Sequence, residues 1–201
     1  MRHELVGVIA AAGFASGDRI VVGRWTSSPV GPMTDVMWAT PDGRRVLFAP
    51  EQRAADFIAA VYTFDQVEVV TIQAAGGPSG LDVRFGDREV HLRAGRGWRI
   101  PFRRPPWSTR LVEAPVARAL LGVRTYGVSP TGVREWYRAD GWRPVVSGRA
   151  SVGERDLGSL GPVDPPCRFG FSEPPRRPTI TAVRPLLEDP SGALDRVVER
   201  S

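Results

Sequence analysis

The sequence predicts an α+β protein, mainly antiparallel β, folded as a closed or partly closed β-barrel or cone with about two helices. Three observations carry that prediction. First, about nine or ten short runs rich in β-branched and aromatic residues follow one another, each bounded by turn residues. Second, 22 glycines and 19 prolines in 201 residues break the chain too often for a helical bundle. Third, the few segments with helical period do not alternate with the strands, so no series of βαβ units is expected.

The elements follow in order. "DRIVVGRW" (18–25) and "TDVMWAT" (34–40) read as strands. "PDG" (41–43) is a turn signal, and "RRVLFAP" (44–50) completes a hairpin. "EQRAADFIAAVYTF" (51–64) then places Ala54, Phe57, Ile58, Val61 and Tyr62 at helical spacing, with Glu51 in the first turn after Pro50. Strand signals resume at "QVEVVTIQ" (66–73), "LDVRFG" (81–86) and "EVHLRAG" (89–95). "TRLVEAPVARALLG" (109–122) predicts the second helix, with Pro115 in its first turn or splitting it. "VRTYGVS", "GVREWYR" and "WRPVVSGRASV" predict three more strands, separated by "PTG" and "ADG". Beyond residue 153 a proline-rich segment wraps the surface before a last strand, "TITAVRP" (179–185). The expected division is an N-terminal extension (1–17), one barrel domain (18–186) and a C-terminal tail (187–201) that frays or forms a helical turn.

Composition removes several chemistries. All 27 basic residues are arginine. A lysine Schiff base, a Walker lysine and a lysine general base are therefore excluded. Cys167 is the sole cysteine and the histidines are His3 and His91, which leaves no His/Cys zinc site. No EF-hand spacing occurs, and no cofactor or metal is expected. Leu5 to Ala15 is apolar and follows one arginine, and Gly13 and Ala15 mimic a cleavage site. Glu4 interrupts the charged region, however, and the run is too short to span a bilayer. The expectation is an element packed on the domain of a soluble, cytoplasmic protein without a membrane span.

"SPVGPMTDVMWA" carries the most organised motif. It resembles the Gly-Pro-Tyr-x-Glu-Val motif of the acetoacetate decarboxylase-like superfamily, with Gly31, Pro32, Asp35 and Val36 in the matching places. A hairpin and an alanine-rich helix, "RAADFIAAVY", follow, then the turn "TFDQ" into "VEVVTI". In that family the turn carries Phe-Pro-Lys, and its lysine forms the Schiff base. The resemblance covers residues 19–72. Met33 stands for the tyrosine, Asp35 for the glutamate, and Asp65 or Gln66 where the lysine would be. The resemblance thus implies the scaffold, a cone-shaped barrel with an interior pocket for a small organic molecule, without the family's lysine chemistry.

Strand alternation sorts the candidate side chains. Ile20, Val22 and Arg24 share one face of their strand; Asp35, Met37 and Ala39 share one face of the next. If Arg24 and Asp35 both point inward they meet, the arginine as an anion holder beside an acid/base whose pKa burial and charge would set. Val133, Glu135 and Tyr137 share a face, and Arg124 and Tyr126 form a similar pair. His91 lies opposite the apolar face of its strand. The residues assigned to a small organic acid or carbonyl ligand are Arg24, Met33, Met37, Tyr62, Asp65, Gln66, Arg124, Tyr126 and Tyr137, with Asp35 and Glu135 as acid/base groups. A homo-oligomer is left open. The second reading is an arginine-rich binding module at "RAGRGWRIPFRRPPWSTR" (93–110), whose six arginines and interleaved Trp98, Phe102 and Trp107 suit nucleic acid or another anionic surface.

Overall fold

The structure, a computed structural model, describes residues 1–99 and 126–199. The chain begins with β1 (Arg2–Glu4), β2 (Val6–Phe14), β3 (Arg19–Ser27), β4 (Met33–Ala39) and β5 (Arg45–Ala49), then helix α1 (Gln52–Ala59). β6 (Gln66–Val69), β7 (Ile72–Gly77), β8 (Gly80–Phe85), β9 (Arg88–Ala94) and β10 (Trp98–Arg99) follow. The second half holds β11 (Tyr126–Val128), β12 (Arg134–Trp136), β13 (Ala139–Val152), β14 (Arg155–Asp156), β15 (Leu160–Gly161), β16 (Thr179–Val183), β17 (Leu186–Glu188) and helix α2 (Ala193–Glu199). The helix expected over 109–122 lies outside the described residues.

One large sheet runs in the order β6-β5-β4-β3-β2-β16-β13-β9-β8-β7, and a four-stranded sheet runs β1-β17-β12-β11. The large sheet curls into a half-barrel. Its two halves face each other across one core, in which Ile20, Val22, Val36, Trp38, Val46 and Phe48 meet Leu81, Val83, Phe85, Val90 and Leu92. Phe48 and Phe85 lie 4.9 Å apart between ring centres, and Trp38 sits edge-on to Phe85 at 6.0 Å. The barrel interior around these rings is thus packed with aromatic and aliphatic side chains.

Three features differ from the sequence reading. Residues 1–17, set apart there as an extension, supply β1 and β2. β2 pairs with both β3 and β16 in the middle of the sheet. Its run reads as uniformly apolar because both faces are buried: Ala10, Ala12 and Phe14 enter the barrel core, while Ile9 and Ala11 meet a cluster on the other face. The described part of the tail, residues 187–199, is docked, with Leu194 fully buried beside α1 and Arg53 Nη2 donating to the Val198 carbonyl. Finally, β6 runs parallel to β5 with α1 as the crossover, so one parallel pair joins an otherwise antiparallel sheet. Among the described residues, no helix is long and apolar enough to cross a membrane.

Candidate functional site

On the second face of β2, β3 and β4, Ile9, Ala11, Val21, Trp25, Met33 and Met37 pack against α1, the small sheet and the proline-rich strap. A buried group of acids and phenols lies in this layer. β4 places Met33, Asp35 and Met37 in one row, and Gly23 is the residue opposite Asp35 on β3. Two residues further along β3, Trp25 reaches back, and its Nε1–H donates to Asp35 Oδ1 at 2.7 Å. Gly23 makes this reach feasible: a Cβ there would fall 2.5 Å from Asp35 Oδ1 and 2.7 Å from Trp25 Nε1. Asp35 is 1% exposed. Desolvation lifts its carboxyl from the ordinary 3.8 to about 7, and the indole hydrogen bond holds it from rising further.

Glu135 enters from β12 with no exposed surface. The Tyr62 hydroxyl, just beyond α1, donates to its Oε2 at 2.9 Å. Tyr62 and Tyr137 share a short hydrogen bond between their hydroxyls. Glu135 Oε1 is buried and has no hydrogen-bond partner among the described residues. Burial raises Glu135 from 4.5 to about 8, against the lowering effect of the Tyr62 hydrogen bond. Both tyrosine rings keep an edge at the surface, but their hydroxyls are desolvated, and burial together with the Glu135 charge pushes both phenols up. The Asp35 charge also raises Tyr137, which puts Asp35 and Glu135 within electrostatic reach of the same phenol. The strap closes on this group: Phe171 packs 6.2 Å from Tyr137, and a Cβ at Gly170 would strike the Tyr62 ring at 2.6 Å.

The structure therefore brings together Met33, Asp35, Met37, Tyr62, Glu135 and Tyr137 from the sequence-derived set. It separates others. Arg24 is not beside Asp35: the register pairs Gly23 with Asp35, which puts Arg24 in the opposite row with Ile20 and Val22. Arg24 Nη1 instead donates to the Gly76 carbonyl of β7 at the barrel rim. The expectation of an Arg24–Asp35 clamp inside the barrel is corrected accordingly. Asp65 is exposed and pinned by the Arg45 guanidinium and backbone N–H, which hold its carboxyl at about 2. Gln66 donates to Glu68 on the exposed strand β6. Both residues tie the chain beyond α1 to β5 and lie away from the acid cluster. Tyr126 stacks on Trp136 at 5.1 Å, next to Glu135 in sequence. Arg124 lies outside the described residues.

Trp25 is the member that strand patterns missed. The signal for it is its own spacing: Gly23 and Trp25 alternate on one face, and a bare glycine between two large residues leaves room for an indole to fold over. His91 bridges Asp82 at 2.8 Å and Glu89 at 3.2 Å on a polar sheet face. Burial pushes the Cys167 thiol up to about 12, so it is protonated at neutral pH. Residues 100–110 of the arginine-rich stretch lie outside the described residues, and within them Arg93 is paired with Asp82. No group of three or more His, Cys, Asp or Glu among the described residues is placed to hold a metal.

No protein-family model matches the chain, and no curated protein does. Solved structures similar to it include two of acetoacetate decarboxylases. One is acetoacetate decarboxylase from Legionella pneumophila subsp. pneumophila str. Philadelphia 1, at 8% identity and a TM-score of 0.40, over 94% of this chain and 83% of that one. The other is from structural studies of acetoacetate decarboxylase, at 8% identity and a TM-score of 0.45, over 92% of this chain and 84% of that one. The similarity extends to the course of the chain and to nothing finer.

Proposed function

We propose that the acid–tyrosine cluster binds a small carbonyl compound or organic acid without a covalent link to the protein. The single observation that carries this reading is Glu135 Oε1, a fully buried carboxyl oxygen with no hydrogen-bond partner among the described residues. Leaving such a group unpaired costs about 1–3 kcal/mol. A ligand oxygen accepting from the protonated acid removes that cost. The tyrosines fix the direction of donation. Tyr62 gives its proton to Oε2, so a proton on the carboxyl belongs on Oε1 and points at the ligand. Asp35, held by Trp25, is the second acid of the site, and Met33 and Met37 flank it in the same row. With no lysine in the sequence, no Schiff base forms, and recognition rests on the hydrogen-bonding groups of the cluster.

Acetoacetate and pyruvate, set against the corresponding hydroxy acids, are suitable probes for saturation-transfer NMR and calorimetry. The wild-type protein is expected to bind the oxo acids and to lose affinity as pH rises through about 8, where Glu135 ionises. Glu135→Gln keeps a donor at that position at every pH, so its binding should not fall there. Glu135→Met removes the donor and should weaken binding by roughly tenfold or more. Equal affinity of all three proteins across that pH range would refute the reading.

A further inference from the structure

We propose that the proline-rich strap, residues 164–175, is a hinged lid that opens as a unit to admit a ligand to the acid–tyrosine cluster. The inference rests on the ligand reading above and adds the route into that site. Asp35 and Glu135 are buried, so a ligand reaches Oε1 only if part of the cover moves. The parts of the cover are held differently. α1 buries Ala54, Phe57 and Ile58, and the small sheet is paired along β1, β17, β12 and β11. The strap, between β15 and β16, contains neither helix nor strand. Its ends are drawn together: the Val163 N–H donates to the Arg176 carbonyl at 2.8 Å, and Arg176 pairs with Asp164 at 3.0 Å. A loop whose ends meet in this way can swing on them without disturbing the strands on either side.

Glu173 ties the tip of the strap into one body. Its carboxylate accepts from the Cys167 N–H at 2.7 Å and from the Arg168 N–H at 2.8 Å. The latch lies beside the site. The Phe169 carbonyl accepts from the Thr63 N–H at 2.8 Å, and the Arg168 carbonyl accepts from Arg45 Nη1 at 3.1 Å. Phe169 packs 5.7 Å from Phe64, and Phe171 6.2 Å from Tyr137. Thr63 and Phe64 directly follow Tyr62, so the latch grips the same turn that places the Tyr62 hydroxyl on Glu135. Arg168 itself has a φ of 58°, in the left-handed region that non-glycine residues rarely adopt. The closed position thus holds a strained residue at its latch, and opening releases it.

The strap carries its own reporter. Cys167, the sole cysteine, is buried against Ala11, Val21 and Ala39. A thiol reagent reaches it only when the strap lifts or the domain unfolds. The test is the rate at which dithiobis(nitrobenzoate) labels the full-length wild-type protein in rising urea. Opening of the strap alone predicts a rate that stays flat at low urea, whereas global unfolding predicts a steep rise from the first addition. Arg45→Met removes the latch donor and should speed labelling about three- to tenfold. Arg168→Gly adopts the left-handed conformation freely and should slow it several-fold. A uniform loss of stability does not produce opposite shifts. Pyruvate at about ten times its Kd should slow wild-type labelling about tenfold, because the lid closes over it. Labelling that proceeds only by global unfolding, or that a bound oxo acid leaves unchanged, overturns the lid while the ligand reading stands on the binding itself. A flat urea profile with both variant shifts, but no oxo-acid binding, supports the lid and overturns the ligand reading alone.

Discussion

Glu135 and Asp35 are buried to the same degree but are held by different chemistry. Tyr62 donates to one and Trp25 to the other, and each hydrogen bond opposes part of the upward push from desolvation. Trp25→Phe isolates this effect, because it removes the indole N–H while keeping the aromatic bulk. We expect it to raise the Asp35 pKa above its wild-type position and to cost about 1–3 kcal/mol of stability. A carbon-detected NMR titration of the aspartate carboxyls, with a chemical melt, checks both. An unmoved Asp35 resonance would mean that the indole does not set its acidity. Trp25 was out of reach of strand patterning, which assigns a residue to a face but does not say that a side chain folds back over its neighbour's neighbour.

At the scale of the element, β3 and β4 show where the sequence is legible and where it stops. The β4–β5 hairpin was readable because "PDG" marks its turn, and the α1 helix because its apolar spacing changes period. The pairing of β3 with β4 was not readable. Alternation gives the two faces of each strand separately, and only the register decides which face of one meets which face of the other. A register with Arg24 opposite Asp35 would have made the expected clamp; the observed one puts Gly23 there. Apolar residues on both faces of β2 hid its central place for a related reason, since a run without alternation carries no strand period. The same register makes a prediction. Gly23→Ala puts a methyl within 3 Å of both partners of the Trp25–Asp35 bond. It should displace the indole, weaken oxo-acid binding and cost about 1–3 kcal/mol. The Trp25 indole N–H resonance should move in its NMR spectrum, and an unchanged resonance would contradict the geometry.

On the scale of the whole molecule, the large sheet has two unlike faces. One curls around Phe48, Phe85 and Trp38 and supplies the half-barrel's core. The other carries the acid cluster beneath α1, the small sheet and the strap, so the cluster lies outside the barrel core rather than within it. The sequence could not separate the two, because apolar residues occupy both. The site also draws on distant parts of the chain: β12, which bears Glu135, pairs with β17, and β17 pairs with β1. This arrangement has a pH signature. Asp35 and Glu135 have folded-state pKa values raised above their ordinary 3.8 and 4.5. The stability they contribute as neutral acids is full below about pH 4 and is lost as pH rises through about 7 and 8. Asp65, held at about 2, acts in the opposite sense, but only as pH falls below its ordinary 3.8. The wild-type melting temperature should therefore decline relative to an Asp35→Asn, Glu135→Gln double variant between about pH 5 and 8, and parallel curves would refute it.

The central claim is that Glu135 is a neutral acid offering a hydrogen from Oε1. Difference infrared spectroscopy of wild-type protein against Glu135→Gln tests it most directly, because the carbonyl stretch of a protonated carboxyl is separate from that of a carboxylate. At about pH 6 the wild type should show a protonated-carboxyl band that the variant lacks. That band should fade as pH passes about 8 and shift when an oxo acid binds. A Glu135 band already in carboxylate form at about pH 6, or a protonated band untouched by the ligand, would contradict the account.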